Sequence, residues 1–96
     1  MKRMTETPAV RNNAARSRFE LDTGEGLAVL LYRDAPGVLI LYHTEVPQAL
    51  RERGIGSTLV LAAMEQVRAE GLKVVPRCGF VRHVIDLHPQ FHDLVE

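Results

Sequence analysis

The chain has 96 residues, enough for one domain, and 46% of them are hydrophobic. Twelve basic side chains balance twelve acidic ones, which argues against nucleic acid or an anionic membrane surface as a partner, because both select a net basic field. One cysteine, Cys78, excludes an internal disulfide and fits a reducing cytoplasm, and no apolar run approaches the roughly 20 residues that cross a bilayer.

In chain order, residues 1–9 lack periodicity and read as a flexible tail without a signal-peptide core, leaving 10–96 as the single folded domain. In residues 18–22, Phe19 and Leu21 alternate with Arg18, Glu20 and Asp22, the period of a half-buried strand. Thr23–Gly26 is a turn. LAVLLYR, 27–33, and VLILYHTEV, 38–46, are apolar runs of strand length joined through Ala35-Pro36-Gly37, a sequence suited to a type II turn. The first half is therefore expected to be a three-stranded antiparallel meander.

The period then changes. Over Gly54–Glu70, Ile55, Leu59, Ala62, Ala63 and Val67 fall on one helical face, widened by Val60, Leu61 and Met64, and Gly71 is a natural stop. KVVPRC, 73–78, reads as a strand reached by a right-handed parallel crossover. Pro76 cannot donate to a ladder, so this strand is expected at an edge, bulged, or parted from its neighbour there. FVRHVIDL, 80–87, is a short helix closed by His88-Pro89. His88 and His92 are four apart, but Pro89 lies between them and no cysteine or carboxylate set completes a metal site, so no metal is expected.

The turn RERGIG, 51–56, opens a helix whose first N–H groups and dipole favour an anion. Arg51 and Arg53 add positive charge, and Gly54 and Gly56 allow close approach to the backbone. The alternative is a tight loop with solvated arginines. A Walker loop is excluded because no lysine follows the glycines at the required place. A dinucleotide fingerprint is excluded because Leu59 stands at the third glycine's position and Val74-Val75 where an acid is needed.

Arg51-Glu52-Arg53-Gly54-Ile55-Gly56 matches the Q/R-x-x-G-x-G/A signature of the GCN5-related N-acetyltransferases. The ordered set HTEVP, RGIG, VVPRC and HPQFHDLV resembles the minimal N-acetyltransferase-like members of that group over residues 10–96. The resemblance implies an α/β fold: a small mixed sheet, with an antiparallel meander, then a parallel strand–helix–strand unit that splays to hold coenzyme A, and a short C-terminal helix. It implies acetyl-CoA as co-substrate, with the pyrophosphate on residues 53–58 (Arg53, Gly54, Ile55, Gly56, Ser57, Thr58) beside Arg51, and the pantetheine arm along Thr44, Glu45 and Val46. The Val46 N–H is then placed to polarise the thioester carbonyl.

Acyl transfer to an amine also needs a base for the amine proton and an acid for the leaving thiolate. His43 and Glu45, two apart on a strand, share a face; an imidazole can accept the amine proton, directly or through water, and Glu45 would serve if it were buried. Larger family members commonly use a tyrosine in the following helix as acid, but residues 79–87 contain none. Cys78 is the expected substitute, either as proton donor or as carrier of the acetyl group. Against these roles stand ordinary structural ones: a hydrogen-bonded His43, a surface Glu45, a buried small Cys78. The acceptor is an amine, on a small molecule or a protein. The rival functions are a catalytically weak CoA-binding protein, a small adaptor without CoA, and a thiol enzyme using Cys78 and His43 without CoA.

Overall fold

The computed structural model describes residues 10–96; the expected tail at 1–9 lies outside the described residues. Val10–Asn13 (β1), Arg18–Asp22 (β2), Leu27–Ala35 (β3) and Val38–Glu45 (β4) form four consecutive antiparallel strands. The antiparallel part thus has four strands, not the three expected. VRNN offers no apolar alternation; β1 is held instead by its ladder to β2, by Arg11 and Asn13 bonding Glu20, and by the Gln66 side-chain N–H donating to the Val10 carbonyl at 2.7 Å. The β3–β4 turn is tight and takes Gly37 at φ 73°, a conformation that a Cβ disfavours.

Ile55–Ala69 (α1) follows as expected, with Leu59, Val60, Ala63, Met64 and Val67 buried along one face. Removing one such side chain, Leu59→Ala for instance, costs about 2–5 kcal/mol. The chain returns as Lys73–Pro76 (β5), parallel to β4, completing a five-stranded sheet in the order β1-β2-β3-β4-β5. Pro76 is the last paired residue of this outermost strand, opposite Leu41, where no further ladder donor is needed.

Gly79–Asp86 (α2) then buries Val81, Val84 and Ile85, and the 3-10 segment Pro89–Leu94 adds Phe91 and Leu94 to the same core. Val95 makes a parallel bridge to Val74. His88 Nδ1 and His92 Nε2 lie 2.8 and 3.0 Å from the carbonyls of Val84 and Ile85, so both rings tie down the end of α2. Among the described residues no group of three or more His, Cys, Asp or Glu is arranged to hold a metal.

α1 and α2 pack against each other and on one face of the sheet, around a shared core. Phe19, Leu21, Ala28, Leu30, Tyr32, Leu39 and Leu41 point into them and form one core. A register shift in the β3–β4 ladder decides what faces the other way. Leu31 pairs with His43 and Tyr32 with Leu41, leaving Tyr42 as the extra residue of a bulge. Tyr42, His43 and Glu45 therefore all lie on the face away from the helices, and Thr44 points toward them.

Candidate active site

β4 is twice as long as β5. After the Leu41–Pro76 pair, the Leu41 carbonyl accepts the N–H groups of Arg77 and Cys78 at 2.8 and 3.1 Å, and the strands part. A cleft of about 430 Å³ opens there. One wall is the end of β4 and its continuation: His43, Thr44, Glu45 and Val46. The other is the start of α1, with Gly54, Gly56 and Ser57; Arg51 and Phe80 close the sides.

The start of α1 is built to leave donors open. Gly54 sits just before it at φ 74° and has no side chain with which to cap it. Among the described residues the N–H groups of Gly54, Ile55, Gly56 and Ser57 meet no backbone carbonyl. The N–H of Thr58 already bonds the Gly54 carbonyl at 3.0 Å, and that of Arg53 the Leu50 carbonyl at 3.2 Å. Four of the six expected anion donors are thus open and two are engaged. Arg51 lines the cleft and donates through Nε to the Val46 carbonyl at 3.2 Å, fixing the exit of β4. Arg53 lies outside the lining and reaches across to Glu25 of the β2–β3 turn at 3.6 Å. Ile55 packs its side chain against the core and offers only its N–H.

Cys78 lies behind the lining of the cleft, its sulfur 3.6 Å from the hydroxyl of Thr44, which does line it. Burial pushes the thiol pKa up, but the N–H of Val81, the Thr44 hydroxyl and the N–H groups of Phe80 and Thr44 outweigh it, so the net shift is downward. The helix N–H groups face the sulfur without closing a capping hydrogen bond. His43 and Glu45 stand on the far side of Thr44. Their Nε2 and Oε2 are 3.6 Å apart, with side chains 50% and 70% exposed. Glu45 thus lacks the burial that its expected role required; its place is beside His43 at the sheet surface.

The model of the family described as a GCN5-related N-acetyl-transferase matches residues 18–94. The chain belongs to the GCN5-related N-acetyltransferase family. Protein NATD1 of Danio rerio is 36% identical over 87 residues, which are 85% of this chain and 79% of that protein. Protein NATD1 of Xenopus tropicalis is 41% identical over 63 residues, 65% of this chain. That match spans 58% of the Xenopus protein, little more than half its length. The fold resembles the solution structure of a GCN5-like protein from Staphylococcus aureus, with a TM-score of 0.69, 24% identity, and 92% and 87% of the two chains covered.

Of the residues expected at the site, His43, Thr44, Glu45, Val46, Arg51, Gly54, Gly56 and Ser57 line the cleft where the strands part, and Cys78, Arg53, Ile55 and Thr58 do not. The structure also adds one that sequence reasoning passed over. Phe80, 40% exposed, lies against Gly56: a Cβ built on Gly56 would come within 2.9 Å of the Phe80 ring and 3.5 Å of Val46. Gly56 therefore makes room for an aromatic side chain in the cleft wall, not only for an anion. The signal was an unpaired aromatic directly after Cys78-Gly79, but its partner lies 24 positions earlier, beyond any local pattern.

Proposed function

We propose that the protein transfers the acetyl group of acetyl-CoA to an amine, with the cleft between β4 and β5 as the site. The observation that carries this reading is the cleft where the strands part: four open N–H groups stand at the α1 side of it, and the Cys78 thiol, its pKa lowered, contacts Thr44 of the β4 wall.

In this reading the N–H groups of Gly54, Ile55, Gly56 and Ser57 hold the pyrophosphate, with Arg51 beside them. The pantetheine arm runs along Thr44–Val46, using the edge of β4 that β5 has left, and packs on Phe80. The Val46 N–H has no backbone acceptor among the described residues and polarises the thioester carbonyl. His43 takes the amine proton, with Glu45 stabilising the imidazolium. The new C–N bond forms as the C–S bond breaks, and the thiolate that leaves needs a proton. Cys78 either supplies that proton or first accepts the acetyl group as a thioester. Intact-mass measurement with acetyl-CoA and no acceptor separates the two, since only the second adds one acetyl group to the chain.

The test of the reading is thermal unfolding with and without acetyl-CoA. Ligand at about 100 times its dissociation constant stabilises by roughly 2.7 kcal/mol, a rise on the order of 10–20 °C for a domain this small. Ser57→Asp sharpens the test. A carboxylate in the first turn suits the helix dipole, so the free protein holds its stability, yet it puts negative charge in the anion seat. The ligand shift is expected to vanish in Ser57→Asp. No shift in the parent protein at saturating acetyl-CoA overturns the reading.

A further inference from the structure

We propose that the acceptor amine is carried by an acidic segment of another protein, docked across the helix-free face of the sheet. This deepens the acetyltransferase reading and rests on it for the fate of the amine, though the docking itself can be measured without CoA.

The face has a distinct composition. One cross-strand row holds Arg11, Glu20, Val29 and Glu45; the next holds Asn13, Arg18, Leu31 and His43; a third holds Arg33, Ile40 and Val75. Tyr42 joins the third row, with the Arg33 guanidinium 5.1 Å from its ring centroid. Arg77 continues the alternation of β5 one residue beyond Pro76 and is exposed. The chain as a whole is neutral, yet by the alternation of the strands this face sets Arg11, Arg18, Arg33, Lys73 and Arg77 against Glu20, Asp22 and Glu45. Glu20 is moreover fully engaged, accepting from Arg11 at 2.8 Å, Arg18 at 2.7 Å and Asn13 at 2.9 Å. Among the described residues Arg33 and Arg77 form no ion pair. The surface is locally basic around a half-exposed tyrosine, the combination that anchors protein interfaces.

The placement of His43 decides what kind of acceptor fits. Small-molecule sites bury 70–90% of their ligand. Here only the Thr23–Gly26 turn joins β2 to β3, and the half-exposed His43 and more exposed Glu45 stand at the open rim of the cleft. The acceptor must bring its own surface. Leu31, Ile40 and Val75, all partly exposed, lie between the arginines, and Glu45 interrupts the positive field. That mosaic suits a polypeptide with apolar and acidic side chains better than a continuous run of phosphates. Arg18 stands two strands from His43, about 10 Å away, which is roughly three residues of extended peptide. An acid about three residues from the acceptor lysine therefore reaches the Arg11–Arg18–Glu20 cluster, where two arginines share one carboxylate.

Fluorescence anisotropy of labelled peptides tests the docking: one lysine among Asp and Glu, against the same peptide with Asn and Gln. The acidic peptide is expected to bind roughly tenfold more tightly, with the gain lost in high salt and in an Arg33→Glu, Arg77→Glu variant. The acetyl-CoA thermal shift of that variant, measured alongside, is expected to match the parent and so shows it folded. Acetyl transfer to the peptide lysine, read by mass, is expected to follow binding. Equal binding of the two peptides, indifference to the charge reversal, or free alkylamines accepting as well as the peptide overturns the docking while leaving the acetyltransferase reading intact. Displacement of the acidic peptide by a single-stranded RNA of equal charge also overturns it, and makes the face one for nucleic acid. Charge-dependent peptide binding without any acetyl-CoA shift supports the docking and removes the acetyltransferase reading alone.

Discussion

Helices α1 and α2 both begin at the cleft, and they dispose of their first N–H groups in opposite ways. Before α1 stands Gly54, left-handed and without a side chain, so the donors behind it stay open. Before α2 stands Cys78, extended at φ −77° and ψ 129°, with its sulfur turned back toward the N–H groups of Phe80 and Val81. The positive end of one helix is left open, the seat proposed for an anion; that of the other lowers the pKa of a sulfur already in the chain. The difference comes from one residue at each helix start, which makes it open to substitution.

The largest effect is expected at α2. Cys78→Ser puts a good capping hydroxyl at an N-cap position where the thiol closes no capping hydrogen bond, so the unfolding midpoint should hold or rise. The hydroxyl is far less acidic than the thiol, so transfer of the acetyl group should fall by at least about a hundredfold. Steady-state rates beside a melting curve decide it. Unchanged turnover in a stable Cys78→Ser protein would make the sulfur a packing residue and erase the contrast between the helices.

Next comes Gly56→Ala, which intrudes on the α1 wall. The new Cβ meets the far end of the Phe80 ring at 2.9 Å, and a half-exposed ring can swing away. Stability is therefore expected to change by less than about 0.5 kcal/mol, helped by the better helix propensity of alanine. Acetyl-CoA affinity is expected to drop roughly tenfold, about 1.4 kcal/mol, as the displaced ring crowds the arm. In a Phe80→Ala background the same substitution should cost no affinity, and titration calorimetry on the four proteins tests that coupling.

A third effect belongs to the sheet, far from both helix starts. The hydrogen bonds from Arg11, then Arg18 and Asn13, lower the Glu20 pKa from 4.5 to about 2. A carboxyl whose pKa is lower in the folded state stabilises above its unfolded value. Its contribution should be complete above about pH 4.5 and lost as pH falls toward 2. Glu20→Gln should flatten the melting midpoint across that window, and an unchanged acid limb would show that the cluster adds nothing.

Much of this architecture could be read from residue order, because the elements that place the cleft carry strong local signals. The alternation in Phe19–Leu21, the apolar runs of β3 and β4, and the α1 face of Leu59, Ala63 and Val67 are periodic. The place of Gly54, Gly56 and Ser57 at the start of α1 was legible for the same reason, since a glycine turn before an apolar helix is a local pattern. What escaped depends on distant partners. β1 is polar and holds through Glu20 and Gln66; the Tyr42 bulge exists only as a register against β3; Phe80 matters because it meets Gly56. The engagement of the Arg53 and Thr58 N–H groups likewise required the actual hydrogen bonds.

The smallest expected effect lies at the rim of α1. Glu25 holds Arg53 at 3.6 Å, and both side chains are 61% exposed. An exposed pair of this kind is worth at most about 1 kcal/mol, so Glu25→Gln should leave the melting midpoint nearly unchanged. It removes one negative charge near the open N–H groups, however, and frees a guanidinium that now leans away from them. Acetyl-CoA should therefore bind about twofold more tightly at low salt, an advantage that fades near 1 M salt as the screening length shrinks to about 3 Å. Weaker binding in Glu25→Gln would mean the reverse: that the carboxylate holds Arg53 where the incoming anion needs it, making the β2–β3 turn part of the seat.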